Sequence, residues 1–295
     1  MSSPTLLVTG ASGQLGRRIV QLLLDEEAGP IIAPTRDPAS LHELAARGVE
    51  VRAADFDRPA GLLAAFRGAA RAVLISTDAI DRPGHRLAQH LAAVHALEAA
   101  GVEHVVYTSL TNPHPGSPIT IAGDHRETEA ALAASRLDFT ILRNNCYTDL
   151  MLSSVQQAVA SGRLIDARGD GATGFVTRED CARAAAAALA ATTGGRRTLD
   201  VTGPAAVTSA QVAAIASELT GRPVEHVSVP RDALVAGMVE HGLPGRLAEL
   251  LASFDVAIAA NELAVVSGTV EELTGRVASP VRDFLTAHRG DLVPG

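Results

Sequence analysis

The chain has 295 residues, 47% hydrophobic and 20% charged, which gives a packed globular core and excludes a disordered chain. Net charge is −8, tryptophan is absent and aromatics are 3%, so the basic, aromatic-lined groove of a nucleic-acid binder is missing. All 25 basic residues are arginine, which excludes a Walker-type P-loop, a Schiff-base lysine and the Tyr-x-x-x-Lys pair of ordinary short-chain dehydrogenases.

No run approaches a membrane span; the Ala-rich stretch Ala182–Ala191 is short and follows charge. The N-terminal residues carry no basic or apolar leader, so a cytoplasmic location without membrane attachment is expected. Two cysteines, Cys146 and Cys181, suit a reducing compartment and no disulfide framework.

Strand-like and helix-like segments alternate from residue 5 to about 142 at the rhythm of βα units. Strands are expected at Thr5–Thr9, Pro30–Pro34, Val49–Ala53, Ala72–Ile75, His104–Tyr107 and Asp138–Leu142. Between them, Leu15, Ile19, Leu22 and Leu23 mark the inner face of a first helix. Further helices are expected at Leu41–Ala46, Pro59–Phe66, Leu87–Ala100 and Asp124–Ser135. Pro59 suits a helix start, and Gly101 a helix end. Six strands joined by crossovers imply a parallel sheet covered on both faces.

After residue 145 the rhythm loosens. Tyr147–Ser161 reads as helix, Gly162–Gly174 as a turn-rich link, Arg178–Ala191 as helix and Thr198–Val201 as strand. Thr208–Thr220 follows as a helix capped by Thr208 and Ser209, then Glu225–Val229 as a strand. Arg231–His241, Pro244–Ala260, Val270–Leu273 and Pro280–His288 read as helical or partly so. The expected fold is α/β: a Rossmann-type doubly wound parallel sheet over 1–150, and a smaller α/β substrate lobe over 151–295, partly interleaved with the first domain.

The most informative motif is Gly10-Ala11-Ser12-Gly13-Gln14-Leu15-Gly16, which joins the first strand to the first helix. In this context the glycines serve a tight turn, close approach of backbone to a pyrophosphate, and close packing of helix on strand. The helix N-terminus then offers N–H groups and a positive dipole end to the phosphates. Gly10, Ser12, Gly13, Gln14 and Leu15 are therefore candidate cofactor-binding residues. Arg36 follows the second strand, where NAD-preferring folds place an acid. Its guanidinium suits a 2′-phosphate, which favours NADPH, with NAD still open because Asp37 could turn toward the ribose.

Further segments carry a family resemblance: Gly48-Val49-Glu50-Val51-Arg52 with Asp55-Phe56-Asp57-Arg58-Pro59, then His125 through Thr128-Glu129. Leu142-Arg143-Asn144 with Tyr147-Thr148-Asp149, Thr177-Arg178 and Val270-Glu271-Glu272-Leu273-Thr274-Gly275-Arg276 continue it. With the glycine motif, the chain resembles the atypical short-chain dehydrogenases typified by NmrA-like proteins. Within that group it is similar to bacterial NAD(P)H:quinone oxidoreductases and triphenylmethane dye reductases. The resemblance implies NADPH binding and hydride transfer to a flat conjugated acceptor held between two lobes. The wider family also includes sensors of NADP redox state without known turnover.

The resemblance places Asp55 and Phe56 beside the adenine; Asp55 reads equally as a helix-capping residue before Pro59. Ser76, Thr77 and Thr108 lie at strand ends where cofactor-lining groups are expected. Tyr107 is followed four residues later by Thr111 rather than Lys, so it reads as a strand residue and not as an acid. His125 begins the altered catalytic helix, as proton donor or ribose ligand. Arg143, Asn144 and Tyr147 follow the sixth strand, where nicotinamide and acceptor should meet; His125, Asn144 and Tyr147 are the catalytic candidates. No metal site is expected: His85, His90 and His95 recur at five residues, off any common helical face. Gly-x-Ser-x-Gly is absent, which argues against a hydrolase. The expected activity is NADPH-dependent hydride transfer to a quinone-like acceptor by a monomer or homodimer. Reduction of a ketone, enone or imine, and a non-catalytic NADP-sensing role, stand as alternatives.

Overall fold

The computed structural model describes residues 3–192 and 194–293. Seven strands form the main sheet in the order β3-β2-β1-β4-β5-β6-β9. They are β1 (Leu6–Val8), β2 (Ile31–Thr35), β3 (Glu50–Ala53), β4 (Arg71–Leu74), β5 (His104–Leu110), β6 (Asp138–Asn144) and β9 (Arg196–Val201). The helices between them are α1 (Gln14–Asp25), α2 (His42–Ala46), α3 (Leu62–Phe66), α4 (His85–Ala99) and α5 (Ala122–Ala134).

Every pairing runs parallel. Leu6 faces both Ile31 and Arg71, and the β2–β3 and β4–β5 registers advance together. Asp138 N donates to Glu103 O and Thr111 N to Asn144 O, so β5 and β6 advance in step. Phe139 N to Gly195 O and Asn145 N to Val201 O show the same for β6 and β9. The sheet is thus the expected doubly wound Rossmann type, with a seventh strand added by β9. Residues 198–201 read as a strand in isolation; their place beside β6 depends on pairing across more than fifty residues.

Burial explains the sequence of each strand. All residues of β1, β2, β4 and β5 are buried, as helices on both faces require. β3 sits at the sheet edge and alternates Glu-Val-Arg-Ala, with no fully buried residue. In α1, Leu15, Ile19, Leu22 and Leu23 are buried, as their spacing predicts. Gly101 ends the α4 segment at φ 78°.

The chain divides into two compact units. The first holds residues up to Leu110, Asp124–Arg143 and Cys181–Leu199. Its core includes Leu7, Ile32, Leu62, Phe66, Leu97 and Tyr107, all 0–1% exposed. The second holds Thr111–Gly123, Asn144–Asp180 and residues from Asp200 onward. Elements beyond β6 are α6 (Leu152–Ser161), β7 (Arg163–Asp166), β8 (Ala172–Thr173), α7 (Arg178–Ala190), β10 (Val207–Thr208), α8 (Ser209–Thr220) and β11 (Glu225–Ser228). The chain closes with α9 (Arg231–Glu240), α10 (Gly245–Ala259), α11 (Thr269–Thr274), α12 (Val281–Ala287) and α13 (Arg289–Leu292). β7 pairs in parallel with β11, and β8 antiparallel with β10, inside the stretch that reads as a turn-rich link. Met151, Val155, Val212, Phe175 and Leu285 form the second unit's core. Thr208 caps α8 with Gln211 in a reciprocal capping box.

Among the described residues no helix is long and apolar enough to cross a membrane, and neither cysteine is in a disulfide.

The glycine turn is fixed by close contact. Gly10 has φ 65°, and its carbonyl accepts from Gly13 N at 2.9 Å. A Cβ on Gly16 would lie 2.3 Å from Gly10 O, whereas one on Gly13 meets that atom at 3.4 Å. Gly16→Ala is expected to destabilise the fold by about 1–3 kcal/mol in urea denaturation. Gly13→Ala is expected to leave the unfolding midpoint near wild type, since its Cβ makes an ordinary contact; equal losses in the two variants would refute the packing role assigned to Gly16.

Candidate active site

The turn between β1 and α1 presents Gly10, Ser12, Gly13 and Gln14 to solvent over buried Ala11 and Leu15. No side chain caps α1, and its first turn carries no acid. The first helical N–H with a backbone partner is Arg17 N, bonded to Gly13 O at 3.0 Å. The N–H groups ahead of it therefore face outward, at the positive end of the helix dipole. A pyrophosphate fits this surface in charge and in backbone clearance.

The end of β2 separates two roles that sequence left open. Arg36 is exposed and makes no ion pair among the described residues. Asp37 caps the following turn: its Oδ1 accepts from Ala39 N at 3.1 Å. The carboxylate is thus engaged locally and the guanidinium is available, which suits a 2′-phosphate better than a bare ribose.

Beyond β4 the backbone leaves the sheet, and side chains receive its N–H groups. Ile75 N donates to Thr9 Oγ1 and Ser76 N to Thr108 Oγ1, each at 2.9 Å. Thr77 N donates to His90 Nε2, also at 2.9 Å. Thr77 O accepts from Arg86 Nε at 2.6 Å. Ser76 and Thr77 therefore lie in one strand-end segment, pinned by Thr108 of β5, at the point where the strand order reverses, beside Gly10. In such sheets a ligand lies against this position.

His125 is 3% exposed and lies inside this structure. Arg86 Nη2 donates to its Nε2 at 3.0 Å, so its proton sits on Nδ1, which donates to Tyr107 Oη at 2.9 Å. Burial, with Arg86 and His90 adding to it, holds the ring far below the ordinary imidazole range. Both nitrogens of the ring expected as proton donor or ribose ligand are thus engaged inside the network in this structure. Burial also pushes the Tyr107 phenol well above its ordinary range and His90 down to about 3. His90 passes its Nδ1 proton toward Thr128 Oγ1 at 3.0 Å, and Thr128 donates to Asp124 O.

The remaining candidates divide by partner. Arg143 grips Glu129 with Nε and Nη2 at 3.0 and 2.7 Å, and Ser109 Oγ donates to the same carboxylate at 2.6 Å. The Arg143 fork, expected at the edge where nicotinamide and acceptor meet, braces β6 against α5 in this structure. Asp55 Oδ1 accepts from Asp57 N at 3.0 Å and closes a local turn; the helical segment that starts at Pro59 has Arg58 at its N-cap and no side-chain cap, so Asp55 does not cap it. Phe56 sets its ring edge-on to Phe66, with centroids 6.4 Å apart. In the second unit, Asn144 Nδ2 donates to Tyr147 Oη at 3.2 Å, and the Arg178 guanidinium lies 5.5 Å from the Tyr147 ring centre. Arg178 is held by Asp149 through backbone N and Nη1. Asn144 Oδ1 is buried without a partner.

Arg86, His90 and Glu129 carry the site's architecture, and none of them is given a site role by sequence alone. His85, five residues before His90, bridges Asp81 at 2.5 Å and Asp57 at 2.6 Å, tying the start of α4 to the segment after β3. Among the described residues no group of three or more His, Cys, Asp or Glu side chains is arranged to hold a metal ion.

The neutral pair His90 and His125 makes stability depend on pH. Both rings protonate near pH 6.5 in the unfolded chain but resist protonation when folded, so unfolding takes up protons below that value. Their contribution is complete above about pH 6.5 and falls by about 1.4 kcal/mol per pH unit per ring as the solution is acidified. In urea unfolding between about pH 5.5 and 4.5, His125→Asn is expected to reduce the slope by one ring's worth. An unchanged slope would mean that His125 is already protonated in the folded protein.

Comparison with known proteins gives the family of the chain. A family model described as NAD(P)H-binding matches residues 10–192, more than half of the chain. Quinone oxidoreductase 2 of Escherichia coli (strain K12) is 35% identical over 282 residues, covering 95% of this chain and 97% of the relative. The crystal structure of an E. coli NADPH-dependent quinone oxidoreductase complexed with NADPH superposes with a TM-score of 0.90 at 34% identity, covering 96% and 99% of the two chains. Citrobacter sp. triphenylmethane reductase complexed with NADP(H) gives a TM-score of 0.90 at 32% identity, with 96% and 99% covered. The chain therefore belongs to the NAD(P)H-binding family, among the NmrA-like atypical short-chain dehydrogenases.

Proposed function

We propose that the protein is an NADPH-dependent oxidoreductase that transfers hydride to a quinone-like or similarly conjugated acceptor. The observation that carries this reading is the state of the residues that ordinary carbonyl reduction would use. The chain has no lysine, Tyr107 is 0% exposed with its proton held tightly, and His125 is neutral and enclosed. The strand-end network thus offers no strong acid. An acceptor that delocalises its own negative charge needs none. Quinones meet that condition, and the similarity to a quinone oxidoreductase over 95% of the chain supports the choice.

NADPH, when bound, supplies the hydride. On this reading the turn at Gly10–Gly13 with Gln14 and Leu15 holds the pyrophosphate, and Arg36 the 2′-phosphate. Ser76, Thr77 and Thr108 form the floor under the dinucleotide. Asn144 and Tyr147 act on the acceptor: Asn144 occupies one lone pair of the phenol oxygen, which directs the Tyr147 O–H away from it. The phenol then hydrogen-bonds the oxygen on which charge develops. Free cysteines and a soluble dinucleotide fit a cytoplasmic setting with a small molecule as partner.

Purified protein is expected to consume NADPH when offered simple benzoquinones, followed by loss of absorbance at the reduced-nicotinamide band. No quinone-dependent loss across an acceptor panel would overturn the reading. Arg36→Ala should weaken NADPH by on the order of 10–100-fold while leaving NADH nearly unchanged, since a charge-assisted contact is removed only from the phosphorylated cofactor. Equal effects on the two would end the 2′-phosphate assignment. Tyr147→Phe should lower kcat by up to about 10²-fold with little change in the affinity for NADPH.

A further inference from the structure

The network behind Thr77 contains one full charge that no hydrogen-bonded group cancels. Arg86 is 5% exposed. Its Nε is bonded to Thr77 O and its Nη2 to His125 Nε2, while Nη1 is buried with no partner. Among the described residues no carboxylate forms an ion pair with it; Asp124 and Asp78 act on it only through space. The groups around it are neutral by their hydrogen bonds. His125 receives Arg86 at Nε2 and His90 receives Thr77 N at the same atom, so each ring holds a single proton. Tyr107 stays a phenol. A buried guanidinium without a bonded carboxylate is expensive to maintain, which calls for a role.

The position of the charge suggests that role. The pyrophosphate cradle lies after β1 and the 2′-phosphate site after β2. On the dinucleotide reading, the strand order would put the nicotinamide half on the β4–β5 side, toward the segment Ile75–Thr77. That ring is cationic when oxidised and uncharged when reduced.

We propose that Arg86 selects the redox form of the cofactor: its buried guanidinium, fixed by Thr77 O and His125 and bonded to no carboxylate, weakens binding of the oxidised nicotinamide relative to the reduced one. Arg86 touches no ligand, because its unpaired nitrogen is enclosed. It is a positioning residue that holds the Thr77 segment and sets the field above it. The inference rests on the dinucleotide reading of the site and not on the identity of the acceptor. For turnover it means that spent cofactor leaves in favour of fresh NADPH.

Affinities of the full chain for NADPH and NADP+ test this directly, by calorimetry at fixed ionic strength between about pH 6.5 and 9. Wild type should prefer NADPH by on the order of tenfold, the size of effect that a partly screened unit charge produces. Arg86→Met should abolish the preference, chiefly by tightening NADP+. In Arg86→Lys the preference should persist wherever the ammonium stays protonated and fade as rising pH removes its proton, a readout that lost packing does not produce. If Arg86→Met does not fold, Asp124→Asn should widen the wild-type preference by removing an offsetting charge. Equal affinities in wild type, an unchanged ratio in Arg86→Met, a preference lost at every pH in Arg86→Lys, or no widening in Asp124→Asn would each overturn the proposal. Failure of wild type to bind either form would instead remove the dinucleotide reading on which it rests.

Discussion

The constraint on which the first unit depends is the fate of three consecutive backbone N–H groups after β4. A parallel strand that ends inside a sheet leaves its last donors without ladder partners, and buried donors cannot stay unpaired. Thr9 takes the Ile75 donor, Thr108 the Ser76 donor and His90 the Thr77 donor. These acceptors come from β1's end, β5 and α4, so a single segment locks three elements together. The segment lies where the strand order turns from β1 to β4, and Ile75 packs against the glycine turn at Gly10. On the proposed reading, rigidity at that point gives a dinucleotide a fixed floor rather than a loop that must order on binding.

Behind that floor the hydrogen bonds run in one direction. Arg86 can only donate, so the ring nitrogen it meets on His125 must accept, and the proton must lie on the opposite nitrogen. Tyr107 then receives that proton's hydrogen bond. The backbone of Thr77 forces the same polarity on His90, whose proton turns to Thr128. Two imidazoles that in water titrate near neutrality are thereby fixed as neutral dipoles. Their neutral state follows from the donor-only character of their neighbours together with burial.

Much of this was legible in sequence where the signal is local. The spacing of Gly10, Gly13 and Gly16, the buried face of α1 and the strand rhythm to residue 142 depend on neighbours a few positions apart. The roles of His125 and Arg143 do not. His125 meets Arg86 across 39 positions and Tyr107 across 18, and Arg143 meets Glu129 across 14, so no window around either residue shows the partner. The short strands β7 and β8 were hidden for the same reason. Each has only two to four residues, among turn-forming glycines, and exists because β11 and β10 pair with it. Strand propensity over so few residues is overridden by context. Asp55 shows an intermediate case: its bond to Asp57 N is local, yet it closes a turn ahead of Pro59 rather than capping the helix there.

A chain with arginine as its only basic side chain also explains how a charge survives inside this network. An ammonium placed among neutral histidines and a phenol would keep its proton only to a lower pH than in water, because desolvation favours the uncharged form. A guanidinium starts so far above neutrality that burial lowers its proton affinity without discharging it. Its planar fork can also satisfy two acceptors at fixed angles, here a carbonyl and a ring nitrogen. Three arginines therefore do three different things according to their surroundings. Arg36, exposed at the end of β2, is free to meet a phosphate; Arg143, gripped by Glu129, is neutralised and mechanical; Arg86, enclosed and without a bonded carboxylate, projects its charge. Residue type alone fixes none of these roles. What fixes them is whether a carboxylate lies within reach and whether water can screen the charge.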